Sequence, residues 1–228
     1  MIRSHNSDTI SSRIAAIREQ IPASVRLIAV TKQVSVDAMR EAYAAGVRDF
    51  GESRVQEAAA KQSQLLDLPD ITWHLIGHLQ SNKVKKALEL FEWIHSIDSL
   101  KLAQQCDAYA AQMSLSPQVC LQVKLLLDPN KYGFSLAELK AALRELDRFE
   151  HLQIRGLMTI PPIDLNPAEI SSLFERTRQL AQEIQQQQWS RIDLQHLSMA
   201  MSDDYELAIA QGATMIRLGS ILFGSRPT

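Results

Sequence analysis

A lysine that directly follows the first apolar run is the most reactive candidate group in the sequence. The run Val25–Thr31 is typical of a β-strand, and Lys32 comes next. Alternation along a strand places Ile28, Val30 and Lys32 on one face. Partial burial lowers the pKa of an ammonium group, and a neutral amine attacks an aldehyde to form a Schiff base. The competing interpretation, which the local sequence alone favours, is a solvated lysine at a strand end.

Two segments near the end of the chain have residue types suited to binding phosphate. Gly219-Ser220 offers backbone N–H groups at the start of a helix, together with a hydroxyl. Ser198 or Ser202 can supply a second hydroxyl. Ser202 also has the character of an N-cap. The acidic pair that follows it, Asp203-Asp204, is expected to point away from the phosphate and to interact with the helix dipole instead.

Arg217 lies near the end of the last apolar run, two residues before this glycine-serine pair. A buried guanidinium needs partners, and a ligand is one way to supply them. A lysine combined with a phosphate site is suited to a phosphorylated aldehyde. Pyridoxal 5′-phosphate (PLP) fits this description, and so does the sugar-phosphate substrate of a Schiff-base aldolase. An arginine against the pyridine nitrogen of PLP would leave that nitrogen unprotonated and make the ring a weak electron sink.

These residues would be positioned by an alternation of short apolar runs and helical patterns. Alternation of this kind predicts parallel strands with right-handed crossovers, here a single (β/α)8 TIM barrel over residues 1–228, with its chemistry at the carboxyl ends of the strands. A doubly wound open sheet is the second choice, since neither G-x-G-x-x-G nor a Walker A motif is present. The eight predicted strands are Val25–Thr31, Val47–Gly51, Ile71–Ile76, Trp93–Ser96, Val119–Lys124, Ile154–Met158, Ile192–Leu197 and Thr214–Leu218.

Several helix ends carry clear signals. Ser135 and Glu138 form the pattern of a capping box. Asn166 followed by Pro167 predicts an N-cap and a proline at the first helical position. Gly46 and Gly212 each precede a strand, where a left-handed residue ends a helix.

Two histidines occur four residues apart around the third strand. His74 lies within the strand and is interpreted as a packed histidine, whereas His78 belongs to the following loop, above the barrel mouth. A metal site is disfavoured because no carboxylate lies at a fitting spacing.

Composition narrows the function classes. The chain has 228 residues and a net charge of −2, so a nucleic-acid binder with a large basic face is disfavoured. No apolar stretch is long enough to span a bilayer. The first ten residues lack the apolar region of a secretory signal, so we do not expect one. The two cysteines, Cys106 and Cys120, lack metal-ligand spacing. We expect a cytoplasmic protein that binds neither nucleic acid nor membrane.

Six ordered motifs together resemble the pyridoxal-phosphate homeostasis protein family across nearly the whole chain. The resemblance implies a barrel similar to the N-terminal domain of alanine racemase, a fold type III PLP protein. It also implies a non-catalytic protein that binds PLP and affects the balance of vitamin B6, amino acids and keto acids. The motifs are AVTK ending at Lys32, FGESR ending at Arg54, WHLIGHLQSNK ending at Lys83, GLMTIPP ending at Pro162, LSMAMS ending at Ser202 and IRLGSILFG ending at Gly224.

The same resemblance implies a role for individual residues. Lys32 would hold PLP as an internal aldimine, and Arg217 would face the pyridine nitrogen. Lys131 matches a secondary lysine near the cofactor entry. The expected cofactor-binding set is Lys32, Ser53, His78, Ser198, Met199, Ser202, Arg217, Gly219 and Ser220.

Two positions depart from the family pattern. The resemblance implies asparagine where Ser53 stands, and the serine is expected to alter a ring contact. It implies glycine where Ala200 stands, and the alanine is expected to stiffen the loop because it tolerates fewer backbone conformations.

An amino-acid racemase is the alternative. Alanine racemases add a C-terminal β-domain with a second base, for which the sequence after Arg217 is too short. Racemisation needs an acid on each face of the cofactor, and Tyr132 is the tyrosine most worth testing. We expect a monomer, with PLP-dependent apo-enzymes as candidate partners.

Overall fold

Eight parallel strands pair in chain order, and the last strand closes on the first. The computed structural model describes residues 9–126 and 131–224. The strands are β1 (Arg26–Val30), β2 (Asp49–Glu52), β3 (Thr72–Leu75), β4 (Trp93–Ile97), β5 (Gln118–Gln122), β6 (Gln153–Met158), β7 (Ile192–Ser198) and β8 (Met215–Leu218).

Helices separate the strands and surround the barrel. A single 3₁₀ turn (Ser81–Lys83) precedes the fourth helix. The helices are α1 (Ile10–Gln20), α2 (Val36–Ala44), α3 (Val55–Gln62), α4 (Val84–Leu90), α5 (Leu100–Met113), α6 (Leu136–Leu146), α7 (Pro167–Gln185), α8 (Tyr205–Ala210) and α9 (Ser220–Phe223).

The predicted (β/α)8 barrel is confirmed, and each of the eight apolar runs overlaps one strand. Two strand ends differ from the prediction by two residues: β5 ends at Gln122 instead of Lys124, and β2 begins at Asp49 instead of Val47. The reason at β2 is local: the Val47 N–H donates to the Ala42 carbonyl at 3.0 Å, so Val47 belongs to the turn that ends α2.

The predicted helix ends are also confirmed. Ser135 and Glu138 form the reciprocal capping box at the start of α6. Asn166 caps α7 with Pro167 in the first turn. Gly46 and Gly212 have φ of +89° and +92°, the left-handed conformation expected after a helix.

Apolar side chains fill both sides of the barrel wall. The larger core lies between the strands and the helices. A smaller cluster occupies the barrel interior, and its members are Ile28, Trp93, Cys120, Met158 and Met215. Because successive residues of a strand face opposite sides, Ile28 packs in the smaller cluster while its neighbours Leu27 and Ala29 join the larger one. Among the described residues, no helix is both long and apolar enough to cross a membrane.

Candidate functional site

A cavity of about 400 Å³ lies where the carboxyl ends of β1, β2, β7 and β8 meet. Its volume falls in the usual range for small-molecule sites. Strand-end residues and the loops that follow them form the wall, as expected for the functional face of a barrel. The lining residues are Val30, Lys32, Ser53, Ile76, Ile160, Met201, Ser202, Asp203, Arg217, Gly219 and Ser220.

Lys32 reaches this cavity from the end of β1. It is half-buried, and it shares the cavity wall with Val30, as strand alternation predicts. The next residue, Gln33, has a left-handed backbone with φ of +61°. The Gln33 N–H donates to Glu57 Oε1 at 2.6 Å. This hydrogen bond to α3 fixes the chain direction immediately after the lysine.

Ser53 lines the cavity from the loop after β2. This loop contacts Gly77, which follows β3. A Cβ atom at Gly77 would lie 2.3 Å from the Ser53 carbonyl oxygen, a distance that real contacts do not allow. The two loops can therefore meet only because residue 77 has no side chain.

Arg217 enters from β8 and is only 3% exposed. Its Nη1 donates to Ser198 Oγ at 2.6 Å, and its Nη2 donates to the Thr159 carbonyl at 3.1 Å. Burial lowers the pKa of this guanidinium to about 10, so it remains charged at neutral pH. The cavity thus has a fixed cation on the wall formed by β8.

Ser202 has a different role from the N-cap that its sequence predicts. Helix α8 begins only at Tyr205, and its N-cap residue, Asp204, makes no side-chain capping bond. The Ser202 hydroxyl instead accepts from the Gly219 N–H at 3.2 Å. This contact joins the loops after β7 and β8 and places Ser202, Gly219 and Ser220 on one side of the cavity.

The acidic pair after Ser202 also departs from expectation. Asp203, predicted to point away from the site, is among the residues that line the cavity. Asp204 is buried and accepts from the Met201 N–H at 2.6 Å. It therefore closes the β7 loop rather than capping a helix. Burial raises the pKa of its carboxyl group.

Three members of the expected binding set lie outside the cavity lining. Ser198 is buried beneath Arg217, and Met199 is fully buried in the larger core. His78 bonds to Asp98 at 3.1 Å and stacks on Tyr132, with ring centroids 3.6 Å apart. The cavity does bring together Lys32, Ser53, Ser202, Arg217, Gly219 and Ser220.

Lys131 lies at the mouth but not in the lining. Its Nζ donates to the Ile160 carbonyl at 3.2 Å and also to the carbonyl of Pro161. Its neighbour Tyr132 is exposed and likewise absent from the lining.

Outside the barrel wall, a buried ionic cluster supports the loop that carries Lys32. Lys61 Nζ donates to Glu52 Oε1 at 2.8 Å, to Glu57 Oε1 at 2.7 Å and to the Thr31 carbonyl at 2.6 Å. Burial raises the pKa of Glu52. Burial acts in the same sense on Glu57, but hydrogen bonds from Lys61 and Gln33 outweigh it and lower that pKa. In the sequence, the four-residue spacing of Glu57 and Lys61 is typical of an ion pair on one helix face, and it was the available signal for this cluster.

Inside the barrel, polar side chains from five strands form a second group, buried except for the partly exposed Asp49. His74 Nε2 lies 2.9 Å from Asp49 Oδ1, and His74 Nδ1 lies 2.9 Å from His95 Nε2. His95 Nδ1 lies 2.8 Å from Ser198 Oγ, which contacts Arg217. His74 is packed in its strand, as predicted. Its partner His95, a polar residue in an apolar strand, was not singled out by sequence reasoning.

Comparison with known proteins identifies the family. The model of the alanine racemase N-terminal domain matches residues 5–227. A pyridoxal phosphate homeostasis protein from Synechocystis sp. is 49% identical over 220 residues, which cover 96% of this chain and 99% of that protein. The chain belongs to the pyridoxal phosphate homeostasis protein family.

Solved structures agree with this assignment. PipY of Synechococcus elongatus PCC7942, determined with PLP bound, has a TM-score of 0.91 and 53% identity, covering 95% of this chain and 100% of that one. Alanine racemase of Clostridium difficile 630 has a TM-score of 0.75 at 15% identity, covering 97% of this chain and 58% of that one. The second likeness concerns the fold alone.

Residue 200, one of the two positions expected to depart from the family pattern, has an unusual backbone. Ala200 has φ of +72°, a conformation that costs a residue with a Cβ about 1–2 kcal/mol. Glycine, which the family resemblance implies at this position, adopts this conformation readily. The loop between Ser198 and Ser202 therefore keeps the glycine-type backbone although the residue is alanine.

Proposed function

We propose that this chain binds PLP in the cavity at the barrel mouth and holds it covalently through Lys32. The observation that supports this most strongly is that Lys32 and Arg217 line one cavity of about 400 Å³. The PLP-bound structure of PipY, a relative 53% identical, supports the choice of ligand. When bound, PLP would supply an aldehyde for an amine to attack and an electron-accepting pyridine ring.

The donor set fits the parts of PLP. The half-buried amine of Lys32 is suited to a Schiff base with the aldehyde carbon. The charged guanidinium of Arg217 is suited to the pyridine nitrogen, to which it can only donate. The hydroxyls of Ser202 and Ser220, with the backbone at Gly219, are suited to the phosphate. Ser53 is the candidate for a contact with the ring.

For the remaining members of the expected set we propose indirect roles. Ser198 and Met199 support the β7 loop from beneath, and Ser198 bonds to Arg217 at 2.6 Å. His78, stacked on Tyr132, borders the mouth. Lys131 is the candidate secondary lysine at the cofactor entry.

We further propose a non-catalytic role in vitamin B6 and amino-acid balance for a cytoplasmic, monomeric protein. PLP-dependent apo-enzymes are its candidate partners. Amino-acid racemisation is the competing function, and it requires acids on both faces of the cofactor. None of the described lining residues is a tyrosine, the second base that the resemblance to alanine racemases implies. A turnover of about 1 per second or more with any amino acid would contradict the non-catalytic role.

Visible absorption during a PLP titration tests the binding proposal. We expect the wild-type protein to develop a Schiff-base band that borohydride removes. Lys32→Ala should lose this band while its thermal unfolding stays unchanged, since a half-buried lysine at the mouth contributes little to core packing.

Lys131→Ala is the matched control because it removes a second lysine from the same face, and we expect it to keep the band. A Lys32→Ala variant that retains the full band would contradict the covalent proposal. A wild-type protein that stays colourless at saturating PLP would favour a Schiff-base aldolase, which forms its imine only with substrate.

A further inference from the structure

The five interior polar groups connect one end of the barrel to the other. Asp49 begins β2, His74 and His95 lie at the centres of β3 and β4, Ser198 ends β7, and Arg217 lies on β8. Every contact between successive members measures between 2.6 and 2.9 Å. The group, here called the interior chain, therefore reaches from the amino-terminal end of the barrel to the cavity wall.

Donor and acceptor chemistry gives the interior chain one direction. A carboxylate can only accept, so Asp49 requires the proton of His74 to be on Nε2. Burial lowers the pKa of both histidines, which keeps each ring neutral with one proton. His74 Nδ1 must then accept from His95 Nε2–H, and His95 Nδ1 must accept from the Ser198 hydroxyl.

The opposite end of the interior chain is compatible with the same direction. A guanidinium can only donate, so Ser198 Oγ accepts from Arg217 Nη1. With that lone pair occupied, the serine hydroxyl proton is available to His95. The arginine end thus fits the tautomers that the aspartate end requires. Every ring nitrogen in the interior chain has a partner of the correct type.

We infer that Asp49, His74 and His95 are positioning residues that act through Ser198 to hold the Arg217 guanidinium against the cavity. The interior chain places a negative charge at its far end and polarises each hydrogen bond towards it. The carboxylate of Asp49 thus lies at the opposite end of the interior chain from the cavity wall that Arg217 forms. The inference deepens the proposed function, in which Arg217 faces the pyridine nitrogen.

Histidine-ring NMR on the protein without added PLP tests the direction of the interior chain. In ¹H–¹⁵N spectra at neutral pH, His74 and His95 should both be neutral with the proton on Nε2. A proton on Nδ1 of either ring, or a doubly protonated ring, would overturn the inference. This measurement uses the wild-type chain and does not depend on PLP binding.

Variants of His95 test its action on Arg217. His95→Phe removes both ring nitrogens, whereas His95→Gln can still accept from Ser198 and donate to His74. His196→Phe is the matched control. The rings of His95 and His196 both contact the Trp93 ring, the latter with ring centroids 5.3 Å apart, but His196 lies outside the interior chain. The N–H signals of Arg217 report fixed partners, since free rotation of the guanidinium broadens them.

We expect sharp Arg217 signals in the wild type, in His95→Gln and in His196→Phe, and broadened signals in folded His95→Phe. In PLP titrations, His95→Phe should raise Kd about ten-fold and shift the absorption maximum of bound PLP. The other two variants should stay within about two-fold of the wild type. A folded His95→Phe with wild-type Arg217 signals, Kd and spectrum would overturn the inference. A wild type that binds no PLP would contradict only the proposed function, because the NMR signals would still report on the interior chain.

Discussion

The two walls of the cavity are held in position by different physical means. On the lysine side, formed by the ends of β1 and β2, Lys32 follows a loop tied to the ionic cluster of Lys61, Glu52 and Glu57. On the arginine side, formed by β7 and β8, Arg217 is tied to the neutral groups of the interior chain. The lysine side is held by charge, and the arginine side is held by directed hydrogen bonds.

The polar atoms of the two groups differ in how completely they are paired. On the lysine side, two carboxylates share one ammonium group, and the buried Glu52 Oε2 has no hydrogen-bond partner. On the arginine side, every ring nitrogen of His74 and His95 is paired. Because the ionic cluster lies outside the barrel wall, its excess negative charge is separated from the cavity. We therefore expect the lysine side to depend more strongly on single charges and on pH.

Of the changes considered, removal of the cation shared by Glu52 and Glu57 should have the largest effect on the free energy of unfolding. Lys61→Met leaves the Glu52 carboxylate buried without its cation, and we expect a loss of about 3–5 kcal/mol in the free energy of unfolding. Urea denaturation measures this value. Lys86→Met is the matched control, since Lys86 pairs with Glu89 at 2.8 Å on the exposed surface, and it should cost little. Equal losses in the two variants would show that the ionic cluster has no special role.

Both sides also contain a non-glycine residue in a left-handed conformation, Gln33 on the lysine side and Ala200 on the arginine side. Ala200→Gly should stabilise the fold by about 1 kcal/mol, because it relieves the strain of a Cβ at positive φ. Ala60→Gly, on the exposed surface of α3, should lose about 1 kcal/mol and serves as the control. Thermal unfolding of both variants checks the opposite signs. Destabilisation by Ala200→Gly would contradict the strain at that position.

The smallest expected effect is the pH dependence contributed by Glu52. Burial raises its pKa in the folded state above the unfolded value of about 4.3. The stability that this group contributes is therefore fully present below about pH 4.3 and is lost as the pH rises through the folded pKa.

Glu52→Gln cannot titrate, so it isolates this contribution. The stability of the wild type relative to Glu52→Gln should fall as the pH rises above about 4.3 in a urea denaturation series. A relative stability that instead rises with pH would contradict the direction of the shift.

The sequence was sufficient to predict the barrel and the two walls of the cavity. Strand alternation placed Lys32 at the mouth, and the phosphate-type residues near Gly219 marked the opposite wall. Both features are local, since they follow from the position of a residue at the end of an apolar run. Of the two ligands that the residues left open, PLP and a sugar phosphate, the family resemblance favoured PLP.

The interior chain and the role of Ser202 could not be predicted from the sequence, because they depend on contacts between residues far apart in the chain. His95 and Ser198 are separated by 103 positions in the sequence. Two polar residues at the centres of adjacent strands, His74 and His95, were the available sign of an interior network. Ser202 resembled an N-cap because capping depends on local spacing, whereas its actual partner, Gly219, lies on the next strand's loop.

Borohydride reduction of the PLP-treated wild-type protein, followed by peptide mapping, tests the central claim most directly. A pyridoxyl group should be found on the peptide that contains Lys32, in about one copy per chain, because this amine lines the same cavity as Arg217. A pyridoxyl group mainly on Lys131 or on any other lysine, or no labelled peptide at all, would contradict the assignment of Lys32 as the attachment site.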